Sequence, residues 1–444
     1  MADVTDATTD NPERRIARQI CLGAGRRYRD LWELFMPARP MSGVRVVEVA
    51  QFTYVPVAGA VLADWGAEVI KVEHAVTGDA QRGLQNVGGV EVLGGFFPLM
   101  EHPNRGKRGI GLALENPEAR EVLYEIVRNC DVFVTNFLPE ARARLEIDVE
   151  HIRTINPDII YVRGSALGSR GPEAGSGGYD APSFWFRGGN AAGASWPGLE
   201  GMVGQPGPAW GDTIGGMNIA GGIAAALFSR AQTGEPSIVD VSLLASGAWA
   251  NALSIDIALA GGSIMAGTDP TGMPGVTGNP LMGNFRTKDD RFLNFCMLQP
   301  GRYWADLCTH IDREHLIGDE RFDTTEKLMS NWAAAASEIA AAMRSRSYAE
   351  WIERFQTLQG QWAPVQNALE AGLDEQLRAN GQVAVVLDEE GGEHELVTSP
   401  VQFDETPATP GRAPRFAEHT DEILKELGLD EERIIALKIA GAVT

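Results

Sequence analysis

Cysteine is scarce in this chain, which has four in 444 residues, at Cys21, Cys130, Cys296 and Cys308, without a C-x-x-C pair. Disulfide frameworks and structural zinc sites need paired cysteines at short spacings, so neither is indicated. The usage fits a reducing cytoplasm. Histidine is also rare, at seven residues, and none has the paired spacing of metal ligands, so we predict no metal site.

Positive charge and long apolar runs are lacking as well. The chain has 38 Lys and Arg against 60 Asp and Glu, a formal net charge of −22. Such a balance opposes nucleic-acid binding, and an anionic ligand needs a local basic patch. The apolar runs at 219–228 and 255–260 are too short to span a bilayer. Residues 1–15 lack the apolar run of a signal peptide, so we expect neither export nor membrane insertion.

Several common nucleotide-binding and hydrolase motifs are missing. Glu73 ends a predicted strand where a ribose-binding acid would lie, but the turn before it, at 51–59, reads QFTYVPVAG instead of G-x-G-x-x-G. A Walker phosphate loop, H-E-x-x-H and G-x-S-x-G are also absent. An NAD site is therefore disfavoured.

Strand and helix signals alternate through the first half of the chain. Strands are predicted at 44–49, 68–73, 131–135, 159–163 and 237–242, and helices at 57–65, 117–129, 149–155 and 243–260. Alternation of this kind predicts an α/β fold with a parallel sheet, helices on both faces, and ligands at the carboxyl ends of the strands.

The pattern changes in the second half. A loop rich in Gly, Pro and Thr at 261–284 precedes a smaller α+β region with a strand at 292–298 and helices near 302–310, 331–344 and 348–356. Strand signals return at 383–403, and a last helix is predicted at 420–427. The length of the chain allows two or three domains.

A basic amphipathic helix is predicted at 12–36, ahead of two prolines. Segments of this type can bind membranes. Because the rest of the chain is so acidic, we expect this segment to dock on its own protein or on a second subunit.

One carboxylate stands at the mouth of a helix of small residues: Asp212 in Gly211–Gly216, followed by Met217–Phe228. Glycine permits close approach of a ligand, and a carboxylate in such a place is a candidate nucleophile. Asp is also a favoured N-cap, which would make Asp212 purely structural. The spacing alone leaves both roles open.

A cationic turn reverses the overall sign of the chain. Asn104–Arg108 places three cations around a glycine, and Lys71 and Arg82 could extend the patch. Arg and Lys in this arrangement suit phosphates. A solvated charged turn is the alternative.

Together these features resemble the class III CoA-transferase family, which includes formyl-CoA and carnitine CoA-transferases and α-methylacyl-CoA racemase. The resemblance runs from about residue 41 almost to the end. It is carried by Val46–Val49, Leu62–Glu73, Asn104–Arg108, Asn136–Phe137, Gly178–Asp180, Gly211–Asp212 with Gly215–Gly216, and Arg230 with Thr233–Gly234.

The resemblance implies a Rossmann-like large domain, a smaller α+β domain and an interlocked homodimer. On this basis the chain divides into an N-terminal helical extension at 1–40, a large domain at 41–240, a linker helix at 241–265, a small domain at 266–384, and a return to the large domain at 385–444.

The resemblance also implies a catalytic role for Asp212, whose carboxylate would attack an acyl-CoA thioester to give a mixed anhydride and then an aspartyl-CoA thioester. CoA would be a substrate, with no permanently bound cofactor, and a carboxylic acid would be the other substrate. Gly215 and Gly216 are the candidates for steadying the oxyanion through their amides. The candidate CoA-binding residues are Lys71, Arg82, Asn104, Arg105, Lys107, Arg108, Tyr179 and Asp180.

Departures from the family pattern bear on the substrate. Thr53 stands where formyl-CoA transferases have a glutamine, and their four-glycine run is replaced by 278–284, so oxalate-like substrates are disfavoured. Phe184, Trp185 and Trp210 lie beside the predicted site and would suit a bulky apolar acyl group. Core packing is their alternative role.

Two other functions remain open. The racemase branch uses a His before an Asp as a base, but this chain has Tyr179 before Asp180, and tyrosine is a poor base at neutral pH. A CoA-binding subunit without catalytic activity is the second alternative.

Overall fold

The computed structural model describes residues 39–84, 86–87, 90–91, 96–268 and 278–444. The predicted helix at 12–36 lies outside these residues. Six parallel strands form the main sheet in the order β5-β2-β1-β6-β7-β8, which confirms the predicted parallel α/β sheet. The strands of this half of the chain are β1 (Arg45–Val49), β2 (Glu68–Glu73), β3 (Asn86–Val87), β4 (Val90–Glu91), β5 (Arg108–Gly111), β6 (Val132–Thr135), β7 (Ile160–Ser165) and β8 (Ile238–Ser242). Of these, β3 and β4 form a separate antiparallel pair.

Helices cover both faces of this sheet, because its central strands are apolar on both sides. Val47 and Phe133 face one buried cluster with α3, and Val46 and Val132 face another with α1 and α7. The helices are α1 (Tyr54–Asp64), α2 (Pro98–Asn104), α3 (Pro117–Arg128), α4 (Pro139–Arg144), α5 (Val149–Ile155), α6 (Asn190–Ala194), α7 (Trp210–Thr233), α8 (Leu243–Ala250) and α9 (Ala252–Leu259). A 3₁₀ turn spans Ala80–Gly83 and a π-helical turn spans Ala181–Phe186.

A second core forms around a small antiparallel sheet of order β11-β10-β9. Phe295 and Trp351 are fully buried in it. Its elements are β9 (Met282–Arg286), β10 (Phe292–Cys296), α10 (Pro300–His310), α11 (Thr325–Ser330), α12 (Trp332–Met343), α13 (Tyr348–Arg354) and β11 (Trp362–Pro364), with 3₁₀ turns at Glu314–Leu316 and Phe355–Thr357.

The tail of the chain packs against the main sheet. Leu424 and Leu437 lie in the same buried cluster as Ile110 of β5, and the Arg108 guanidinium donates to both carboxylate oxygens of Glu426 at 2.9 Å. The tail contains α14 (Ala368–Gly372), α15 (Glu375–Ala379), the hairpin β12 (Val383–Leu387) and β13 (Glu393–Val397), α16 (Thr420–Glu426) and α17 (Glu431–Ile439). Within the described residues, no helix has the length and apolar character needed to cross a membrane.

Candidate active site

A cavity of about 1120 Å³ opens at the carboxyl ends of β1, β6 and β7. This is the edge of a parallel sheet at which ligands bind in open α/β folds. Residues from six stretches of the chain line it, and Asp212 is among them. The wall includes Gln51, Phe52, Tyr54, Asn136, Phe137, Leu138, Arg142, Arg163, Ser165, 174–179, Asp212, Asp240 and Leu243.

Asp212 lies in the first turn of α7, half-buried at the cavity wall. Its carboxylate makes no hydrogen bond or ion pair with the part of the chain that the structure describes. Burial, followed by the nearby charge of Asp180, raises the pKa of Asp212 to about 7. A carboxylate without partners is poorly stabilised, and such a group is available as a nucleophile once it is deprotonated.

The N-terminus of α7 is capped by a residue that is distant in sequence. Both carboxylate oxygens of Asp180 accept from the Gly211 amide, at 3.0 and 3.1 Å, and one also accepts from Gln205 Nε2 at 3.2 Å. The residue before the helix, Ala209, has φ +54° and offers no side-chain cap. Asp180 therefore caps α7, a role that the sequence left open for Asp212. Asp212 is not the N-cap.

Gly215 and Gly216 serve helix packing, and their predicted oxyanion role stays a prediction. They lie in the second turn of α7, where amides donate to carbonyls four residues earlier. A Cβ atom on Gly215 would lie 2.5 Å from Cε2 of Tyr54, and one on Gly216 would lie 2.7 Å from Cβ of Val57. These glycines therefore allow α1 and α7 to approach closely.

The two lysines of the predicted cationic patch are buried inside the protein. Lys71 and Lys107 are fully buried and share the carboxylate of Glu48, with Lys107 Nζ at 2.7 and 2.8 Å. Lys71 also pairs with Asp79 at 2.8 Å, and the Asn104 side-chain oxygen accepts from Lys107 at 3.1 Å. The charges are already compensated inside the protein, so they offer no free binding surface.

The arginines of the predicted set are also paired. Arg105 is buried against Asp64 at 2.7 Å, and Arg82 binds Glu73 with Nη2 at 2.6 Å. Arg108 is held by acids of β2 and α16. The turn at 104–108 is therefore neither a free anion-binding patch nor a solvated turn, because ion pairs stabilise its buried cations. The structure does not bring any of these residues to the cavity, and their part in CoA binding stays a prediction.

Two arginines outside the predicted set line the cavity instead. Arg163 forms a bidentate pair with Asp240, with both contacts at 2.7 Å. Arg142 donates to the Phe137 carbonyl at 2.6 Å, and its buried Nε has no partner in the described residues. Arg142 lies on the short helix α4, six residues after Asn136. The one sequence feature that could have indicated its position in the cavity is that it follows closely after the end of a strand.

The aromatic residues divide between cavity and core. Tyr179 is exposed at the cavity wall and makes an edge-to-face contact with Phe52, with ring centroids 5.8 Å apart. Phe184 and Trp185 are buried in the π-helical turn, as the core-packing alternative expects, and Trp185 Nε1 donates to the Val203 carbonyl. Trp210 and Thr53 are absent from the cavity wall: Trp210 is partly exposed, and the buried hydroxyl of Thr53 donates to the Gln81 side chain.

Comparisons with known proteins show what this chain is similar to. The family model for CoA-transferase family III matches residues 41–420. The chain is 28% identical to (R)-2-hydroxy-4-methylpentanoate CoA-transferase of Clostridioides difficile, covering 91% of this chain and 99% of that protein. It is 31% identical to cinnamoyl-CoA:phenyllactate CoA-transferase of Clostridium sporogenes, with coverages of 89% and 95%.

A solved structure shares the fold. A CAIB/BAIF family protein from Brucella suis superimposes with a TM-score of 0.75 at 24% identity, covering 88% of this chain and all of that one. The family-model match spans most of the chain and both relatives are aligned over nearly their full length. The chain belongs to the class III CoA-transferase family and is a CoA-transferase enzyme.

Proposed function

We propose that this enzyme moves CoA between carboxylic acids through covalent intermediates on Asp212. Attack of the Asp212 carboxylate on an acyl-CoA thioester gives a mixed anhydride and CoA thiolate. The thiolate then attacks the aspartyl carbonyl, releasing the acid and leaving aspartyl-CoA, and an acceptor acid reverses these steps. The observation that carries the proposal is an unpartnered carboxylate at the wall of a large cavity.

Arg142 is the better candidate for holding the CoA phosphates. It has an unpartnered Nε, and no carboxylate of the described residues forms an ion pair with it. Arg163 lines the same cavity, but its guanidinium is already paired with Asp240. Phosphate oxygens match guanidinium geometry, so Arg142 replaces the buried lysines in our proposal.

The acyl group is proposed to be bulky and apolar. Phe52, Phe137, Tyr179 and Leu243 supply apolar surface along the cavity wall. The C. difficile and C. sporogenes relatives are named for a branched and an aromatic acid, respectively. Rings at a cavity wall favour such groups. The residues that we propose for the acyl pocket are therefore not Phe184 and Trp185, which the sequence suggested. The proposed acid is still bulky and apolar.

The racemase alternative lacks a suitable base. Asp180 is occupied as the cap of α7. His102 on α2 contacts the Thr213 hydroxyl at 3.1 Å, and burial, with a contribution from Arg105, lowers its pKa to about 4. A group of that pKa is a weak base for an α-proton.

Mass spectrometry of the intact protein tests the proposal. Incubation with cinnamoyl-CoA should add an acyl or CoA adduct at Asp212, and Asp212→Asn should abolish it. Hydroxylamine should convert the adduct to a hydroxamate of Asp212, and borohydride should reduce the thioester to an alcohol at that residue, each with release of the acid or CoA. CoA-dependent thermal stabilisation should persist in Asp212→Ala, which separates binding from chemistry. Absence of any adduct across aromatic and branched acyl-CoAs, or deuterium exchange at the α-carbon of a 2-methylacyl-CoA without an acceptor acid, would overturn it.

We also propose that the enzyme works as an interlocked homodimer in the cytoplasm. Large apolar side chains project from α8 and α9, where Trp249, Leu253 and Leu259 are at least three-quarters exposed. Exposed apolar patches of this kind mark interaction surfaces, and a second copy of the chain would cover them. Light scattering after size-exclusion chromatography should give twice the 47.8 kDa chain mass; a monomer with full activity would contradict this.

A further inference from the structure

We infer that the Tyr54 hydroxyl is the hydrogen-bond donor that stabilises the oxyanion formed when Asp212 attacks the thioester. The inference rests on the proposed CoA transfer and adds to it a catalytic residue on α1. It also names a side-chain donor beside the Gly215 and Gly216 amides that the sequence predicted.

Tyr54 is fixed from several sides at the first residue of α1. Its side chain is 6% exposed, and it lines the same cavity as Asp212. Cβ atoms placed on Gly215 and Gly164 would lie 2.5 and 3.1 Å from its ring carbons, so both glycines give the ring its place. A ring held by α7 and β7 directs its hydroxyl with little rotational freedom, as a preorganised donor requires.

The hydroxyl of this ring has no hydrogen-bond partner in the described residues. Buried polar groups are nearly always paired, so an unpaired one calls for an explanation. The polar groups that act on it are Asp212 and Ser246, and the Ser246 hydroxyl accepts from Asn218 at 3.1 Å while keeping a second lone pair towards Tyr54. In our inference, a thioester oxygen that enters the cavity takes the hydrogen bond of the Tyr54 hydroxyl in place of Ser246.

Tyr54 stays protonated throughout the working pH range. Burial, and then the negative charge of Asp212, raises the pKa of its phenol above the usual value near 10. It can therefore donate a hydrogen bond at any pH at which Asp212 is ionised.

The step balances without proton transfer. A bond forms between a carboxylate oxygen of Asp212 and the thioester carbon, and the carbonyl π electrons move onto oxygen, which accepts the Tyr54 hydrogen bond. When the carbonyl re-forms, the carbon–sulfur bond breaks and CoA leaves as thiolate. Tyr54 keeps its proton throughout, so its contribution is electrostatic.

The test compares Tyr54→Phe with wild type in acylation by cinnamoyl-CoA, timed by rapid quench and intact-protein mass spectrometry. We expect the acylation rate to fall by about 10²–10³-fold, the loss typical for one oxyanion donor, with KM changed less than about twofold. Thermal stability should be equal or higher, because the variant removes an unpartnered buried hydroxyl.

Tyr161→Phe is the matched control. The Tyr161 ring is equally buried, but its hydroxyl donates to the Ile147 carbonyl at 2.6 Å and lies away from the cavity wall. This variant should lose thermal stability and keep the wild-type acylation rate.

Two outcomes would overturn the inference, and they are distinguishable. If wild type is acylated and Tyr54→Phe is acylated at the same rate, the donor role fails and the proposed function stands. If wild type forms no adduct with any acyl-CoA tested, the proposed function fails and the inference falls with it.

Discussion

Asp212 and Asp180 are neighbouring carboxylates, but their environments give them different roles. Asp180 is buried and accepts from the amide of Gly211, so it stabilises the start of α7. The Asp212 carboxylate receives no such bonds from the residues that the structure describes, and its pKa lies near 7. Environment, and not residue type, separates the helix cap from the proposed nucleophile.

The first prediction concerns pH. Because only the carboxylate attacks and the pKa of Asp212 is about 7, the rate of acylation by cinnamoyl-CoA should rise by about tenfold per pH unit below that value and level off above it. Asp180→Asn removes the neighbouring charge and keeps an acceptor oxygen for the helix, so the rise should move to lower pH.

Rapid-quench acylation rates between pH 5 and 9 measure this dependence. Asp319→Asn is the control, since Asp319 is paired with Arg321 in the small antiparallel region, away from the cavity wall. Its profile should match that of wild type. A profile that is flat across pH 7, or one that Asp180→Asn leaves in place, would contradict the assignment.

The two helices that frame the site depend on the absence of side chains between them. α1 and α7 meet where Gly215 and Gly216 face Tyr54 and Val57. The sequence shows glycine there, and glycine within a helix is unfavourable by about 1 kcal/mol relative to alanine. The close helix contact offsets that cost and brings Tyr54 to the same cavity wall as Asp212.

The second prediction is that Gly216→Ala lowers the free energy of unfolding by about 1–3 kcal/mol, because its methyl would press on Val57 and the backbone of α1. Gly221→Ala on the same helix meets nothing within 4 Å and should raise stability by about 0.5–1 kcal/mol. Urea unfolding of both variants measures the difference. Equal effects of the two substitutions would show that the contact does not limit the approach of the helices.

The C-terminal tail of the chain covers one edge of the main sheet. β5 is the edge strand, and α16 and α17 pack beside it more than 300 residues later in the sequence. Thr420 Oγ1 accepts from the Gly111 amide at 3.1 Å, so the tail also satisfies a polar group of the strand. An edge covered in this way is protected from pairing with other chains.

The third prediction is that Leu424→Ala, at a fully buried position of α16, destabilises the protein by about 2–5 kcal/mol. Ile439→Ala, on the exposed side of α17, should change stability by less than about 0.5 kcal/mol. Thermal unfolding followed by circular dichroism compares them. If both substitutions are tolerated alike, the tail does not belong to the cooperative core of the large sheet.

The sequence by itself determined the local elements, because they follow from periodicity and turn chemistry. Strands β1, β2, β6, β7 and β8 lie where the apolar runs predict them. The catalytic role of Asp212 is a prediction from the family motifs. Helix α17 and the inward folding of the turn at 104–108 were not predicted. Burial of Lys107 depends on Glu48, which lies 59 residues away, and no local pattern records that distance.

Only the tertiary structure decided the surroundings of the candidate site residues. It assigned capping to Asp180 across 31 residues and placed Arg142 and Arg163 in the cavity. It also put Tyr54 at the cavity wall that Asp212 lines, with a hydroxyl that has no hydrogen-bond partner in the described part of the chain. The physical reason is that nucleophilicity, pKa and donor availability depend on which groups converge at a point and on how much water remains there. Local periodicity specifies neither.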